Sequence, residues 1–268
     1  MTLTDRQQRE VDYHRQFASE HRDWAKVPVE PEVVTSPQRR WWNAYWYTYT
    51  LLQRQRLGGK RALVPGCGFG EDAVRLTMLG AEVHASDLSE DVLEITRQRC
   101  RHFGYRNVHL AVSPLESLPY PDAHFDLVLL IDILHHVDIE RAIVELVRVL
   151  RPGGVIVGDE LYTHSALERV RRSSLVERVV YPRMVRRLYG VERPYITDDE
   201  RKIDERQFAI VRRRLRNPRI TYFNAFIGRV VRDRVVLAAK LDRAITRATG
   251  NAAAYLAGRV VFEGEIVK

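Results

Sequence analysis

Cysteine is scarce in this sequence, since only Cys67 and Cys100 occur among its 268 residues. Two cysteines cannot build the disulfide framework of a small secreted domain or a cysteine-rich metal site. Long apolar runs are also missing: the run from Leu127 to Ile131 ends at Asp132 and falls far short of the ~20 residues of a membrane-spanning helix. The first ten residues are polar and lack the apolar stretch of a signal peptide. These absences predict a cytoplasmic location.

Lysine is rare as well, because only 5 of the 43 basic residues are lysine. The net charge of +8 is unevenly distributed: residues 57–160 carry 10 basic and 16 acidic groups, whereas residues 161–219 carry 16 basic and 8 acidic groups. An acidic centre followed by a basic region suggests two kinds of structure with different neighbours. The arginine clusters contain no recognisable nucleic-acid-binding motif, so charge alone gives little support to nucleic acid as a partner.

The sequence does contain a regular alternation of short apolar runs and amphipathic stretches, beginning at Lys60. The apolar runs are residues 62–64, 83–85, 108–112, 125–131 and 155–157. The amphipathic stretches are residues 71–79, 90–102 and 139–150, the last stopped by Pro152-Gly153-Gly154, where the next strand is expected to start. This alternation predicts βαβ units and a parallel sheet covered by helices on both faces.

The two ends of the chain follow other patterns. Residues 1–56 are predicted to be mostly helical, and Trp42, Tyr45, Trp46 and Tyr49 fall at helical spacing there. Their aromatic face either docks on the core or forms a lid over a ligand. Toward the other end, the pattern predicts an interrupted helix near 167–180, a helix over 204–215, a strand over 219–223 and a long helix from Phe226 to about Gly250. A final edge strand is predicted over 259–267, with a bulge or turn at Gly264.

The most informative segment is a glycine-rich turn, Pro65-Gly66-Cys67-Gly68-Phe69-Gly70, which follows the first apolar run. Such a turn lets the backbone approach a ligand and points N–H groups at it. The G-x-G-x-x-G motif of dinucleotide-binding proteins would need a glycine at position 71. Glu71 stands there instead, and its carboxylate would repel a pyrophosphate. The turn therefore disfavours a nicotinamide cofactor.

Glycines at 66, 68 and 70 resemble motif I of the class I S-adenosylmethionine-dependent methyltransferases, and the resemblance continues in register from about Lys60 to Asp159. Asp87 stands where that family has an acidic residue that accepts hydrogen bonds from both ribose hydroxyls. The blocks 118–128, 131–137 and 149–154 follow the family in order. The resemblance implies S-adenosyl-L-methionine as the cofactor. The cofactor-binding residues that it implies are Gly66, Cys67, Gly68, Asp87, Leu88, Ser113, Leu115 and Ile131.

Two positions depart from the family pattern. Val64 stands where the family often has an acidic residue for the methionine amino group, and Pro114 replaces the carboxylate that would accept from the adenine amino group. Ser113, Glu116 or the backbone alone could substitute at the second position. Because one charge-assisted contact is worth about 1.5–3 kcal/mol, its loss predicts binding weaker by about one to two decades rather than absent binding.

Methyl transfer often requires a base that removes the proton of the nucleophile. Candidate bases follow the fourth and fifth strand runs, at Asp132, His135, His136, Asp159 and Glu160. His136 is the first choice and His135 the second, because histidine titrates near neutrality and this end of the strand faces the cofactor in the fold. The family carries histidine here even where no base is needed, so a non-catalytic pair remains the alternative. The pattern predicts no metal site.

The sequence as a whole predicts a doubly wound, mostly parallel, seven-stranded Rossmann-like sheet with an antiparallel last strand and a helical cap. Residues 1–56 would form a helical lid segment, residues 57–160 the cofactor-binding core, and residues 161–268 a substrate cap that completes the sheet. The predicted function is methyl transfer to a small molecule, preferentially to oxygen, with a metabolite, a sugar or a lipid-linked compound as acceptor.

Two alternatives to this function stay open. One is a catalytically degenerate protein that keeps the fold and binds without reacting. The other is an RNA methyltransferase that would place the arginines of residues 161–219 on phosphates, although residues 131–134 lack the Asn/Asp-Pro-Pro-aromatic clamp of enzymes that methylate base amines. The expected partner is a small-molecule acceptor rather than nucleic acid. The basic and apolar faces of the inserts could also meet a membrane surface or form a homo-oligomer.

Overall fold

The computed structural model describes residues 3–105, 107–171, 173–174, 176–180, 182–183, 202–225 and 235–268. Seven strands are described: β1 (Arg61–Pro65), β2 (Glu82–Asp87), β3 (Val108–Val112), β4 (Phe125–Ile131), β5 (Leu150–Leu161), β6 (Leu215–Phe223) and β7 (Arg259–Ile266). The α-helices are α1 (Asp5–Glu20), α2 (Glu32–Thr35), α3 (Ala44–Arg54), α4 (Glu71–Met78), α5 (Glu90–His102), α6 (Ile139–Val149), α7 (Ser165–Arg171), α8 (Glu205–Arg212) and α9 (Val236–Ala248). Short 3-10 helices cover Arg22–Lys26, Leu134–His136 and Gly250–Tyr255, and a π-helical turn covers Val176–Val180.

The strands form one sheet in the order β3-β2-β1-β4-β5-β7-β6. Strands β1 to β5 pair in parallel, and β7 inserts antiparallel between β5 and β6. The predicted fold class is therefore confirmed. The strand order reverses between β1 and β4, and ligands of doubly wound sheets bind in the crevice outside the carboxyl ends of the strands at such a point. The residues that follow β1, β2 and β4 are thereby brought together.

Local signals in the sequence explain where the helices next to this crevice begin. Ser89 caps α5 by accepting a hydrogen bond from the Val92 N–H at 3.4 Å, and Asp138 caps α6 by accepting from the Arg141 N–H at 3.2 Å. Helix α5 and strands β3 and β4 have the bounds that the apolar periodicity predicts. The helices and strands next to the crevice thus begin and end where short-range signals in the sequence place them.

The sheet carries a hydrophobic core on each face. On one face, Leu63 and Val128 pack with Leu146 of α6. On the other, Val64 and Leu129 pack with Leu52 of α3. Because both faces of β1 and β4 are covered, these strands are buried along their length and present to solvent mainly their ends.

The aromatic stretch before β1 docks on the core. Trp46 and Tyr49 of α3 are buried, and Tyr49 donates a hydrogen bond to Asp72 of α4 at 2.6 Å. Tyr45 donates to the same carboxylate, while Trp42 lies just before the helix begins. Burial raises the pKa of both tyrosine hydroxyls well above the ordinary value, so they remain proton donors. The structure therefore favours the core-docking interpretation over the aromatic lid.

Three details of the sheet differ from the sequence predictions. The final strand, β7, is not the predicted edge strand, because it pairs with β5 on one side and β6 on the other. Strand β5 begins at Leu150, not after Gly154, because Leu150 pairs with Phe125 and the Pro-Gly-Gly segment forms an irregularity inside the strand. The bulge or turn predicted at Gly264 is also wrong. Gly264 pairs regularly with Ile156, and a Cβ there would lie 2.9 Å from the Cβ of Leu215, so the glycine permits close approach of β6. The register shift lies in β6 instead, between Arg216 and Arg219.

Some predicted elements fall outside the described residues. Phe226, which marks the start of the predicted long helix, is among residues 226–234, and only the later part of that helix is described, as α9. Residues 184–201 of the predicted cap lie outside as well. Within the described ranges, no helix combines the length and apolar character that crossing a membrane requires.

Candidate functional site

The glycine-rich turn occupies the five residues between β1 and α4. Gly66, Gly68 and Gly70 have φ of +62°, +49° and +79°, values that favour glycine. A Cβ at Gly66 would lie 2.4 Å from the Cδ1 of Ile133, so this glycine lets the chain after β4 pack directly on the turn. A Cβ at Gly68 would meet nothing within 4 Å. Gly68 therefore borders open space.

Asp87 holds this turn to the end of β2. Its Oδ2 accepts a hydrogen bond from the Gly68 N–H at 3.2 Å, and its Oδ1 accepts one from the Ser89 N–H at 3.0 Å. Burial raises the pKa of the carboxyl group, while these N–H donors favour the ionised form. A carboxylate offers about four acceptor positions, so two positions remain for a ligand.

A cavity of about 160 Å³ lies between the turn, the ends of β2 and β4, and helix α1. Nine of the residues that the sequence singled out for cofactor binding or catalysis line it: Gly66, Gly68, Asp87, Leu88, Ser113, Leu115, Glu116, Asp132 and His136. The sequence analysis thus identified most of one wall. Lining residues that it did not assign to the cofactor include Gln7, Glu10 and His14, all from α1.

Cys67 and Ile131 lie behind this wall. Cys67 is buried, its thiol directed toward the Gly68 carbonyl oxygen at 3.7 Å, and burial raises its pKa well above the ordinary value. Ile131 is the last residue of β4, pairs with Asp159 of β5 and packs on the hydrophobic core. Both residues support the lining without being part of it.

His135 is also turned away from the cavity. Its side chain is only 2% exposed, and its Nδ1 donates a hydrogen bond to Oε1 of Glu160 at 2.5 Å. Glu160 further accepts from the N–H groups of Leu134 at 2.7 Å and Leu161 at 2.8 Å. This arrangement joins the segment after β4 to the end of β5. His135 is thus placed as a structural residue, unlike its neighbour His136.

Arg259 of β7 bridges two carboxylates at the same edge of the sheet. It donates to Asp132 at 2.7 Å and to Asp159 at 2.8 Å. Burial nevertheless raises the pKa of Asp159 to about 7. Asp132, His135 and Glu160 could in principle ligate a metal ion. Here the Arg259 guanidinium already neutralises Asp132, and donors already surround Glu160, so this set fits a metal poorly.

Helix α1 closes the cavity on the side opposite the sheet. Glu10 accepts a hydrogen bond from the Nδ1 of His136 at 3.0 Å, and this hydrogen bond lowers the pKa of Glu10. Gln7 donates to Glu116 at 3.4 Å, and Arg6 donates to the His135 carbonyl oxygen. Glu116 also accepts from the Asp138 N–H at 3.0 Å, so it is engaged by protein donors.

The chain is similar to known methyltransferases. The family model of a methyltransferase domain matches residues 63–158. Methyltransferase GfsG of Streptomyces halstedii is 33% identical over 115 residues, which are 42% of this chain and 41% of that protein. The phthiotriol/phenolphthiotriol dimycocerosates methyltransferase of Mycobacterium tuberculosis is 35% identical over 126 residues, or 46% and 44% of the two chains. The chain thus spans less than half the length of these two relatives.

Among solved structures, geranyl diphosphate C-methyltransferase from Streptomyces coelicolor A3(2) aligns over 100% of both chains with a TM-score of 0.60 and 14% sequence identity. At this identity the likeness concerns the fold alone. The family match is more specific, because residues 63–158 contain the glycine turn, Asp87 and the end of β4, which meet at the cavity. Residues 63–158 thus match a methyltransferase domain, and the relatives that share this part of the chain are methyltransferases.

Proposed function

We propose that this protein transfers a methyl group from S-adenosylmethionine to an oxygen atom of a small-molecule acceptor. The observation that carries the proposal is that the Gly66–Gly68 turn, the Asp87 carboxylate and the His136 ring line one cavity. A cofactor-binding turn and a residue that can accept a proton therefore face the same space.

Three features of the cavity fit an adenosyl group. Gly68 borders open space, so a ligand can approach the backbone of the turn. Asp87 keeps acceptor capacity for ribose hydroxyls beyond its two backbone donors. The Oγ of Ser113 is buried without a hydrogen-bond partner among the described residues and lines the cavity. A buried hydroxyl is costly unless a partner satisfies it, and an adenine edge would supply one.

His136 is the best-placed base for the acceptor. When bound, S-adenosylmethionine supplies an electrophilic methyl group on a sulfonium centre. Glu10 accepts from Nδ1 of His136, so in the neutral imidazole the proton is on Nδ1 and Nε2 is left to take the hydroxyl proton. Asp132 also lines the cavity, but Arg259 holds its carboxylate. The pairing with Glu10 therefore favours His136, and Glu10 acts as a positioning residue.

The acceptor is proposed to be a hydroxylated metabolite, sugar or lipid-linked compound. Leu237 and Leu241, one turn apart on α9, are 79% and 51% exposed, and this apolar face favours a lipid-linked acceptor within that group. The similar protein from Mycobacterium tuberculosis is named as a methyltransferase of phthiotriol and phenolphthiotriol dimycocerosates. A small acceptor is expected to enter at the carboxyl ends of β4 and β5, where His136 lies.

Calorimetry with S-adenosylmethionine and S-adenosylhomocysteine tests the cofactor site. We expect Asp87→Ala to weaken binding of both by at least about tenfold, because the carboxylate supplies charge-assisted hydrogen bonds. Asp91→Ala is the matched control, since Asp91 is an exposed carboxylate on α5 and does not line this cavity. Asp87 also holds two backbone N–H groups, so circular dichroism must show that the variant is folded. If the wild-type protein binds neither compound, the degenerate binding fold is favoured.

Transfer itself is tested with S-adenosylmethionine carrying a ¹³C-methyl group and panels of hydroxylated metabolites, sugars, lipid-linked alcohols and bulk RNA. The ¹³C chemical shift of the product distinguishes O-methylation from the C-methylation named for the Streptomyces coelicolor structure. We expect an O-methyl signal from one of the first three panels. A C-methyl product would refute the proposed acceptor atom, and a signal only from RNA, with steeply salt-dependent binding, would establish the RNA alternative.

A further inference from the structure

A second cluster of titratable side chains lies at the other end of β2 from Asp87. Glu82 begins β2 and Asp87 ends it, so the two are about 16 Å apart at ~3.3 Å per residue. Glu82 and His84 point to the same face of the sheet because side chains alternate along a strand. His109 of β3 is the register partner of His84, which places its ring beside the other two.

The geometry of this cluster is compact. Oε1 of Glu82 lies 3.4 Å from Nε2 of His84 and 4.0 Å from Nε2 of His109. The two imidazole rings stack with centroids 4.4 Å apart and an angle of 20° between their planes. His84 is buried, whereas the side chain of His109 is 57% exposed. One ligand atom from each residue lies within 4.8 Å of the others, so three donors converge on a point that solvent can reach.

We propose that Glu82, His84 and His109 bind a divalent transition-metal ion of the Zn²⁺ type. Two imidazole nitrogens and one carboxylate oxygen form a donor set that Zn²⁺ accepts at about 2.0–2.2 Å. In a tetrahedral site with such bonds the ligand atoms lie about 3.3 Å apart. The separation of 3.4 Å already matches, and the separation of 4.0 Å requires only a small rotation of the exposed His109 ring. The fourth position is left to water.

The surrounding charges are compatible with a cation. Arg61 contacts Oε2 of Glu82 at 3.6 Å and leaves Oε1 to the imidazoles. Burial lowers the pKa of His84, and the hydrogen bond with His84 lowers the pKa of Glu82. Both directions favour the forms in which an imidazole and a carboxylate bind a metal ion.

The ring of His84 is held in place from its other side. Tyr120 and His124 pack edge-on against it, with centroids 5.5 Å and 5.3 Å away, and burial lowers the pKa of His124 as well. The Nδ1 of His84 is buried without a hydrogen-bond partner among the described residues.

The site is tested by isothermal titration calorimetry, in which Zn²⁺ alone is added to the metal-free protein. We expect the wild-type protein to bind one Zn²⁺ ion per molecule. His109→Ala and Glu82→Gln should each reduce the affinity for Zn²⁺ by at least about tenfold, because each removes one of three ligands. His109 and Glu82 are exposed, so both variants should fold. His102→Ala is the matched control, since His102 is an exposed histidine at the end of α5, outside the cluster.

Co²⁺ provides the second readout, because a tetrahedral site gives intense visible absorption that a non-specific surface contact does not. We expect this absorption in the wild type and in Asp87→Ala, which leaves the cluster intact, and its loss in His109→Ala. If His109→Ala binds Zn²⁺ as tightly as the wild type, or if the Co²⁺ band is absent, the site does not exist and the histidines only stack. Neither result bears on the cofactor cavity, which is tested separately with adenosyl compounds.

Discussion

His136 and Glu10 are 126 residues apart in sequence, and the Nδ1 of His136 donates to Oε1 of Glu10 across the cavity at 3.0 Å. This contact connects helix α1 to the segment after β4, one on each side of the site. The cavity measures about 160 Å³ with α1 in place, whereas ligand pockets usually span about 300–1,000 Å³, so we expect α1 to shift when an adenosyl compound binds.

Glu10→Gln tests whether this contact holds α1 closed. The lowered pKa of Glu10 means that the carboxylate stabilises the fold above its ordinary pKa of 4.5 and that this contribution is lost as the pH falls through the lowered value. We expect the variant to lose about 1 kcal/mol of unfolding free energy at pH 6, with the difference from wild type shrinking at pH below 4.5. Urea denaturation at several pH values measures both effects.

Asp12→Asn is the control for that experiment, because Asp12 is an exposed carboxylate on the same helix. We expect it to leave stability within about 0.5 kcal/mol of wild type. Stopped-flow fluorescence should also show faster release of S-adenosylhomocysteine from Glu10→Gln than from the wild type or from Asp12→Asn. Equal release rates in all three would mean that the contact does not restrain α1.

Gly68→Ala is predicted to block the cofactor more than it harms the fold. The φ of +49° makes alanine cost about 1–2 kcal/mol of stability, and the added methyl group projects into the open space beside the turn. Gly104→Ala carries the same backbone cost, since its φ is +83° and nothing lies within 4 Å, but Gly104 does not line the cavity. Calorimetry should show at least tenfold weaker binding of S-adenosylhomocysteine for Gly68→Ala alone. Equal affinities of the two variants would contradict the placement of the ligand.

Ser113→Ala should leave the free protein as stable as wild type, or slightly more stable, because it removes a buried hydroxyl without a partner among the described residues. If the hydroxyl contacts the adenine, affinity for S-adenosylhomocysteine should fall about tenfold. Ser86→Ala is matched to it, since the Ser86 hydroxyl is also buried without such a partner but does not line the cavity. Thermal melts of both variants measure stability, and calorimetry measures the affinity for S-adenosylhomocysteine. An unchanged affinity in Ser113→Ala would show that Ser113 does not contact the ligand.

The neighbouring residues His135 and His136 are predicted to have different roles, the first in stability and the second in methyl transfer. His135→Ala should lower the unfolding free energy by about 3 kcal/mol or more, because it removes a side-chain hydrogen-bond donor from the buried Glu160 carboxylate. His136→Ala should cost about 1 kcal/mol or less, since its side chain is 27% exposed, yet it should lose methyl transfer while retaining cofactor binding. Denaturation, calorimetry and the ¹³C transfer assay measure the three quantities. A stable His135→Ala variant would refute the structural assignment.

Much of one wall of the cavity was predictable because its residues are adjacent to strand ends. The apolar runs locate β1, β2 and β4, and the parallel topology then brings Gly66, Asp87 and His136 to one edge of the sheet. For the opposite wall the sequence predicted only that residues 1–56 form a helical lid segment, and it did not indicate which of their side chains would line the cavity. Helix α1 buries only Val11 and Ala18, and the residues it turns to the cavity are polar, so its pattern is that of a solvated helix.

Long-range pairs escaped the sequence analysis for a similar reason. Arg259 lies 100 residues beyond Asp159 and reaches it only because β7 inserts next to β5 in antiparallel register. An arginine in a chain with so many arginines has no local signal that marks it for a buried carboxylate. The irregular start of β5 was likewise hidden, because the pairing of Leu150 with Phe125 is a tertiary contact that outweighs the Pro-Gly-Gly turn signal.

The bridge from Arg259 to Asp132 and Asp159 has a consequence for biosynthesis. During translation, β1 to β5 can assemble before β7 leaves the ribosome, and that intermediate would contain the glycine turn together with two acidic groups that no guanidinium yet neutralises. Its exposed β5 edge would also be open to pairing with other chains until β7 covers it. A product of premature termination before β7 should therefore be an aggregation-prone species rather than a smaller working enzyme.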